Sequence, residues 1–150
     1  MAFEDDCANE AVRLHEVLED WLIGRPPRTA EAFHAFSSVI GKDFVVISPK
    51  GTVTEYAPLL EEFESLHGQL AHKEGAFRIS VKNFRPVRQL GEALCATYEE
   101  WHELDGKTSA RLSTAIFGPR EGLPHGAEWL HIHETWLPGL APTAGERFPE

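Results

Sequence analysis

The spacing of apolar residues along the chain changes once, from a helical period to strand-like alternation. Residues 5–23 carry apolar side chains at helical spacing behind an acidic first turn, which predicts an amino-terminal helix within residues 1–24 that ends at Gly24. A second, short helix is predicted to begin after Thr29, a typical cap residue, and to end at 36 or 38. A third is predicted over 55–67 and is closed by a glycine.

Strand patterns dominate the second half of the chain. A short β-branched run, Phe44–Ile47, ends in a turn, and alternating segments follow at residues 77–87, 93–104, 108–117 and 128–137. Helices first and long meandering strands afterwards predict an α+β fold, with a curved antiparallel sheet around three helices. The length of 150 residues fits one domain, 1–150, with residues 139–150 as a loose tail rich in Gly, Pro and Ala.

The dipeptide Asp105-Gly106 lies between two alternating segments and predicts a two-residue hairpin turn. If Leu104 opposes Lys107, counting outward puts Glu100 opposite Arg111 and Tyr98 opposite Ser113. An opposite-charge pair across two strands supports this register and defines a polar row on one face of the sheet.

The last strand carries His131 and His133 on the same face as Trp129 if it alternates regularly. With Phe117 placed near Trp129, both histidines are expected to join the row of Glu100, Arg111 and Ser113. The opposite face then becomes broadly apolar, and such a face predicts a homodimer packed sheet against sheet. The predicted interface consists of Trp101, Leu112, Ile116, Leu130, Ile132 and Trp136.

The net charge of −10 and the lack of a Lys/Arg cluster argue against nucleic acid or an anionic membrane as partners. Cys7 and Cys95 are far apart in no metal-binding or redox spacing, so we expect reduced thiols. The acidic amino terminus has no long apolar run, which predicts neither a signal peptide nor a membrane span and hence a cytoplasmic protein.

The segments Ile47–Gly51, ARLSTAIF (110–117) and WLHIHETWLP (129–138) resemble the NTF2-like superfamily, with the SnoaL-like/DUF4440 group as the nearest branch. The His-x-His of the last strand is also similar to the association domain of calcium/calmodulin-dependent kinase II. The resemblance implies a cone-shaped sheet around a pocket. It leaves the activity open, since this fold hosts enzymes, carriers and oligomerisation modules. Related ketosteroid isomerases carry a catalytic aspartate where this chain has Ser48, which argues against that reaction.

Two functions from different classes follow as hypotheses. The first is a small-molecule binder or enzyme that needs no cofactor or metal, with an apolar pocket and a polar end. The apolar residues would be Phe44, Tyr98, Phe117 and Trp129, and the polar ones Glu100, Arg111, Ser113, His131 and His133. One of the two histidines would act as the base on a carbonyl compound, and Arg111 would stabilise the oxyanion. The second is a non-catalytic dimerisation or scaffold module.

Each candidate residue also has a purely structural interpretation. His131 and His133 could be satisfied core histidines, or could hold a metal if Glu100 supplied a third ligand. The Glu100–Arg111 pair could be an internal ion pair, and Tyr98 could simply pack with its hydroxyl near the rim.

Overall fold

A computed structural model describes residues 2–142 and shows three α-helices against one curved six-stranded sheet. The helices are α1 (Phe3–Ile23), α2 (Ala30–Ser37) and α3 (Tyr56–Ser65), with a 3₁₀ turn at Ala71–Lys73. The strands are β1 (Ile40–Ile47), β2 (Val53–Glu55), β3 (Phe77–Leu90), β4 (Ala93–Leu104), β5 (Lys107–Pro119) and β6 (Ala127–Trp136).

The predicted α+β class is confirmed, with strands in the order β2-β1-β6-β5-β4-β3. The sheet is not wholly antiparallel as expected, because β1 runs parallel to β6. Among residues 2–142, no helix is long and apolar enough to cross a membrane. Most of the predicted loose tail, residues 143–150, lies outside the described residues.

Identifiable caps set the start of α2 and the end of α1. The Thr29 side chain accepts a hydrogen bond from the Ala32 amide at 3.1 Å and so starts α2. Gly24 adopts a φ of +85°, and its amide bonds back to the carbonyl of Asp20, which closes α1. The apolar face of α1 then packs into the concave side of the sheet.

A buried carboxylate ties α1 to β6. Glu10 is fully buried and accepts hydrogen bonds from the Trp129 indole at 2.9 Å and from Arg13 Nε at 2.8 Å. The Arg13 guanidinium also donates to the Ala35 carbonyl at 3.1 Å. These contacts satisfy the hydrogen-bonding groups of the buried indole and carboxylate, and they fix the position of α1 along the sheet.

The β4–β5 hairpin has the predicted register. Asp105 and Gly106 both have positive φ, 53° and 79°, as a type I′ turn requires. Glu100 pairs with Arg111, and Tyr98 with Ser113. All four of these side chains are buried on the face that points towards the helices.

The last strand departs from regular alternation at Leu130. Phe117 pairs with Trp129 as predicted, but the next pair is Ile116 with His131, so Leu130 is an extra residue in β6. This β-bulge inverts the alternation beyond it. The expectation that His131 and His133 join the Glu100–Arg111 row is therefore wrong, and Glu134 is buried in their place.

The same bulge changes two members of the predicted dimer face. Ile132 is only 8% exposed and belongs to the core, while the Trp136 ring lies against the Arg111 guanidinium. Placing these two residues on the outer face was wrong, because that placement assumed regular alternation. The remaining four lie half-buried on the outer face of the sheet: Trp101, Leu112, Ile116 and Leu130.

Candidate functional site

A cavity of about 100 Å³ lies between the helices and the concave face of the sheet. Its lining is mostly apolar, and the apolar residues come from all three helices and from the sheet: Leu14, Leu18, Leu22, Phe36, Ile40, Phe44, Val46, Leu59, Phe63, Ile79 and Ile132. Five ionisable residues complete the lining: His15, Glu100, His102, Arg111 and Glu134. An apolar enclosure with a few convergent polar groups is the usual form of a small-molecule site.

Glu100 is the most firmly held of these ionisable groups. Its two oxygens meet His15 Nε2 at 2.9 Å and His102 Nε2 at 2.5 Å. Burial alone would raise the pKa of Glu100, but His15 and Arg111, together with the hydrogen bonds from both histidines, hold that pKa well below its usual range. Glu100 is therefore ionised and fully engaged.

The two histidines beside Glu100 differ in charge. Burial would lower the pKa of His15, but the charge of Glu100 together with the hydrogen bonds to Glu100 and to the Ala11 carbonyl, 2.7 Å from the other ring nitrogen, raises it. For His102 burial prevails, and its pKa is lowered. Both ring nitrogens of His15 face acceptors, an arrangement that the imidazolium satisfies, whereas His102 is the neutral imidazole at neutral pH.

Arg111 and Glu134 form the second charged pair of the cavity. Arg111 Nη1 donates to Glu134 Oε1 at 3.0 Å, and the guanidinium carbon lies 4.8 Å from the centre of the Trp136 ring. Burial raises the pKa of Glu134 from 4.5 to about 7, and the neighbouring Glu100 adds to the rise, although Arg111 opposes it. A carboxyl group that titrates near neutral pH can exchange a proton under physiological conditions.

Tyr98 and Ser113 lie next to the charged pairs but do not line the cavity. The two hydroxyls interact, yet neither completes a hydrogen bond of ordinary length and angle among the described residues. Phe117 and Trp129 pack in the same buried layer with ring centres 4.5 Å apart and their planes tilted by 51°. Of the predicted site residues, the structure thus brings Phe44, Glu100 and Arg111 together around the cavity.

His131 and His133 lie on the outer face of the sheet, with His131 half-buried and His133 exposed. They do not face the cavity, so neither can act there as the predicted base. The alternative of a metal held by His131, His133 and Glu100 is also wrong, because Glu100 lies on the opposite side of the sheet from both imidazoles. Within residues 2–142, no group of three His, Cys, Asp or Glu side chains is arranged to hold a metal ion.

Sequence reasoning missed His15, His102 and Glu134. His15 occupies the spacing of Ala11, Leu22 and the other buried positions of α1, so helical periodicity does indicate that it faces inward. His102 follows Glu100 by two residues in a regular strand, and alternation alone would have placed it in the row. Glu134 could not be found this way, since its inward direction depends on the bulge.

Ser48 has a structural role in the turn after β1. Its hydroxyl oxygen accepts hydrogen bonds from the amides of Thr52 at 3.1 Å and Lys50 at 3.3 Å. This arrangement is the common side-chain support of a tight turn. Ser48 does not line the cavity.

Residues 7–138 match the family model described as sucrose-6-phosphate phosphohydrolase C-terminal. The chain is 24% identical over 136 residues to sucrose-phosphatase 2 of Nicotiana tabacum, covering 89% of this chain. It is also 24% identical over 130 residues to probable sucrose-phosphatase 3a of Arabidopsis thaliana. The chain spans about a third of the length of these relatives, 31% and 30% respectively.

Solved structures with the same architecture are NTF2-like proteins. An NTF-2 like protein of unknown function from Pseudomonas aeruginosa is 25% identical with a TM-score of 0.75, covering 88% of this chain and 98% of that one. The CaMKII hub of S. rosetta is 14% identical with a TM-score of 0.56, covering 81% and 92%. The predicted NTF2-like membership is confirmed. The SnoaL-like/DUF4440 branch is not specifically supported and stays a prediction.

Proposed function

The chain belongs to the sucrose-6-phosphate phosphohydrolase C-terminal family, and we propose that its cavity binds a small organic molecule with an apolar body and one carboxylate group. One observation carries this proposal: an apolar enclosure that includes a buried guanidinium, Arg111, only 2% exposed. Arginine binds carboxylates through two parallel N–H donors, which makes it a specific partner for such a group.

The position of Arg111 is prepared without any ligand. Its side chain crosses from β5 and packs its guanidinium on Trp136 of the neighbouring strand. A cation held over an aromatic ring keeps its orientation when a hydrogen-bonding partner is exchanged. Burying a charge is costly, and a buried arginine beside a cavity is more readily explained by ligand binding than by stability.

The charge balance around the cavity favours an anion. Arg111 and His15 are cationic, Glu100 is anionic, and Glu134 is divided between its neutral and charged forms near neutral pH. When Glu134 holds its proton, these four groups carry one net positive charge. A monocarboxylate neutralises that charge.

The size and lining of the cavity limit the rest of the ligand. A cavity of about 100 Å³ is smaller than the roughly 150 Å³ that holds benzene, so it limits the ligand to a short chain of a few carbon atoms. A sugar phosphate carries hydroxyls on every side, and the eleven apolar lining residues would leave most of them unpaired. The substrate in the names of the longer relatives is therefore not proposed for this cavity.

Pentanoate and pentanamide test this proposal because they share one shape and differ in charge. We expect amide-proton NMR titrations at about pH 6 to show saturable pentanoate binding with a Kd in the millimolar range, because so small a ligand makes few contacts. The chemical-shift changes should be confined to residues around the cavity. Pentanamide should bind more weakly, because it has no charge to offer Arg111. Failure of both compounds to shift cavity resonances would contradict the proposal.

A filled cavity provides the matched variant. Val46→Phe places an aromatic ring at a lining position that is 9% exposed, whereas Val12→Phe makes the same change at a position 46% exposed on the helix surface. Pentanoate binding should disappear in the first variant and persist in the second. Equal binding by both variants would show that the ligand sits elsewhere.

A second candidate function, homodimerisation through the outer sheet face, is supported by the half-buried apolar residues there and by the similarity to a hub domain. Sedimentation analysis at micromolar concentration should give a dimer. Ile116→Glu should dissociate it, and Val87→Glu, at an exposed site on β3, should not. A monomeric parent protein would exclude this candidate.

A further inference from the structure

The two carboxylates of the cavity are held very differently. Glu100 receives hydrogen bonds from His15 and His102, one on each oxygen. Within residues 2–142, Glu134 receives one from Arg111, on a single oxygen. Of the two, Glu134 is the carboxylate that can move without leaving two buried histidines unpaired.

Glu134 also holds the position that a bound carboxylate would take. It lines the cavity, and its Oε1 lies 3.0 Å from Nη1 of Arg111. A ligand carboxylate that pairs with Nη1 must displace Glu134, and one that binds another edge of the guanidinium would lie beside an ionised Glu134. Glu100 is close as well, so three negative charges would then share the positive charges of Arg111 and His15.

We propose that Glu134 is an internal substitute for the ligand, which a bound carboxylate displaces from Arg111 as Glu134 takes up one proton. This inference rests on the proposed function. In the empty protein above about pH 7, Glu134 is a carboxylate bound to Arg111. In the complex the ligand carboxylate binds Arg111, and the proton, taken from solvent, resides on a Glu134 oxygen. One anion and one proton enter together, so the buried charge does not change.

The groups facing Glu134 decide where this proton can go. They are His15 from α1, Tyr98, Glu100 and His102 from β4, and Arg111 from β5. Arg111 cannot release its proton, Glu100 is held ionised by two histidines, and Tyr98 keeps its proton because its pKa is raised well above 10. His102 remains as a competing proton acceptor, and loss of a proton from His15 would also weaken anion binding, so the test must distinguish both from Glu134.

The pH dependence of pentanoate affinity is the measurement. If only protein with protonated Glu134 is competent, apparent affinity follows the protonated fraction. A Glu134 pKa of about 7 then predicts about thirtyfold weaker binding at about pH 8.5 than at about pH 6. Pentanoate stays ionised throughout this range, because free carboxyl groups titrate near pH 4.

Glu134→Gln should bind pentanoate about equally at both pH values, and at least as tightly as the parent at pH 6, because the amide is always neutral. Glu128→Gln is the matched control, since it removes a β6 carboxylate that pairs with Arg120 at the surface, and it should keep the parental pH dependence. Carbon-13 NMR of the Glu134 carboxyl should show its protonation at about pH 8 only when pentanoate is present.

Two results would overturn this inference while leaving the proposed function intact. One is pentanoate binding by the parent protein that does not depend on pH. The other is a pH dependence that survives in Glu134→Gln, which would place the proton on His15 or His102. Absence of pentanoate binding at both pH values in parent and variant would instead remove the proposed function, and this inference with it.

Discussion

Glu134 should make the stability of the ligand-free protein depend on pH. Its pKa is raised from 4.5 to about 7 by burial. Between these values the native protein keeps a proton that the unfolded chain has lost. Folding is therefore favoured by protons in this window, and stability falls as the pH rises through it.

The magnitude follows from the two pKa values. Between about pH 5.5 and 8, a carboxyl group whose pKa rises from 4.5 to about 7 on folding lowers the free energy of unfolding by about 2 kcal/mol. Glu134→Gln does not titrate and should lose this contribution. The difference in stability between parent and variant should therefore shift by about 2 kcal/mol between the two pH values, in favour of the variant at high pH.

Urea unfolding followed by tryptophan fluorescence measures both proteins at both pH values. The slopes with denaturant should agree, so that midpoints report stability directly. Glu128→Gln, at the surface pair with Arg120, should parallel the parent at each pH. A parent-to-variant difference that stays constant between the two pH values, or that moves in favour of the parent at pH 8, would refute the reasoning.

Other parts of the fold give three further predictions. Glu10→Ala leaves the Trp129 indole unpaired in the core and removes the ion pair with the partly exposed Arg13, so it should cost about 3 kcal/mol in urea unfolding, whereas exposed Glu16→Ala should cost little. Burial raises the pKa of Cys7 to about 12, so a disulfide reagent should modify the half-buried Cys95 in the native protein and Cys7 only on unfolding. Gly106→Ala at a φ of +79° should lower stability by about 1 kcal/mol in the same urea assay.

The hairpin shows why part of the site could be derived from sequence. Asp105-Gly106 specifies its own turn geometry, and the strands on either side alternate without interruption. Register is then a matter of counting, and it places Glu100 opposite Arg111. Local chemistry alone determined this half of the site.

The other half depends on contacts between distant segments. β6 lies between β5 on one side and the parallel β1 on the other, and both pairings shift in register near residue 130. Nothing local marks Leu130 as an extra residue, since it is an ordinary strand former in an apolar run. A single unpaired position was enough to exchange His133 for Glu134 at the cavity.

The inward direction of His15 could have been predicted from its helical spacing, but the polarity of histidine argued against it. A histidine in a helix reads as polar, although its spacing with Ala11 and Leu22 places it on the buried face. Its partner Glu100 lies 85 positions further along the chain, so the pairing itself cannot be derived from local pattern. Helix periodicity predicts the face on which such a residue lies, whereas its hydrogen-bond partner is known only from the tertiary structure.

The extra residue at position 130 means that the chemistry of the interior is governed by the pairing of the last strand as well as by side-chain identity. If Leu130 paired with Ile116, every residue beyond it would change faces, so that His131 and His133 faced the cavity and Glu134 turned to solvent. Deleting Leu130 would not have this effect, because His131 already pairs with Ile116 and would keep its face. An interior lined by Glu134 could thus become an imidazole-lined one if the bulge were absorbed into the ladder, with no side chain substituted.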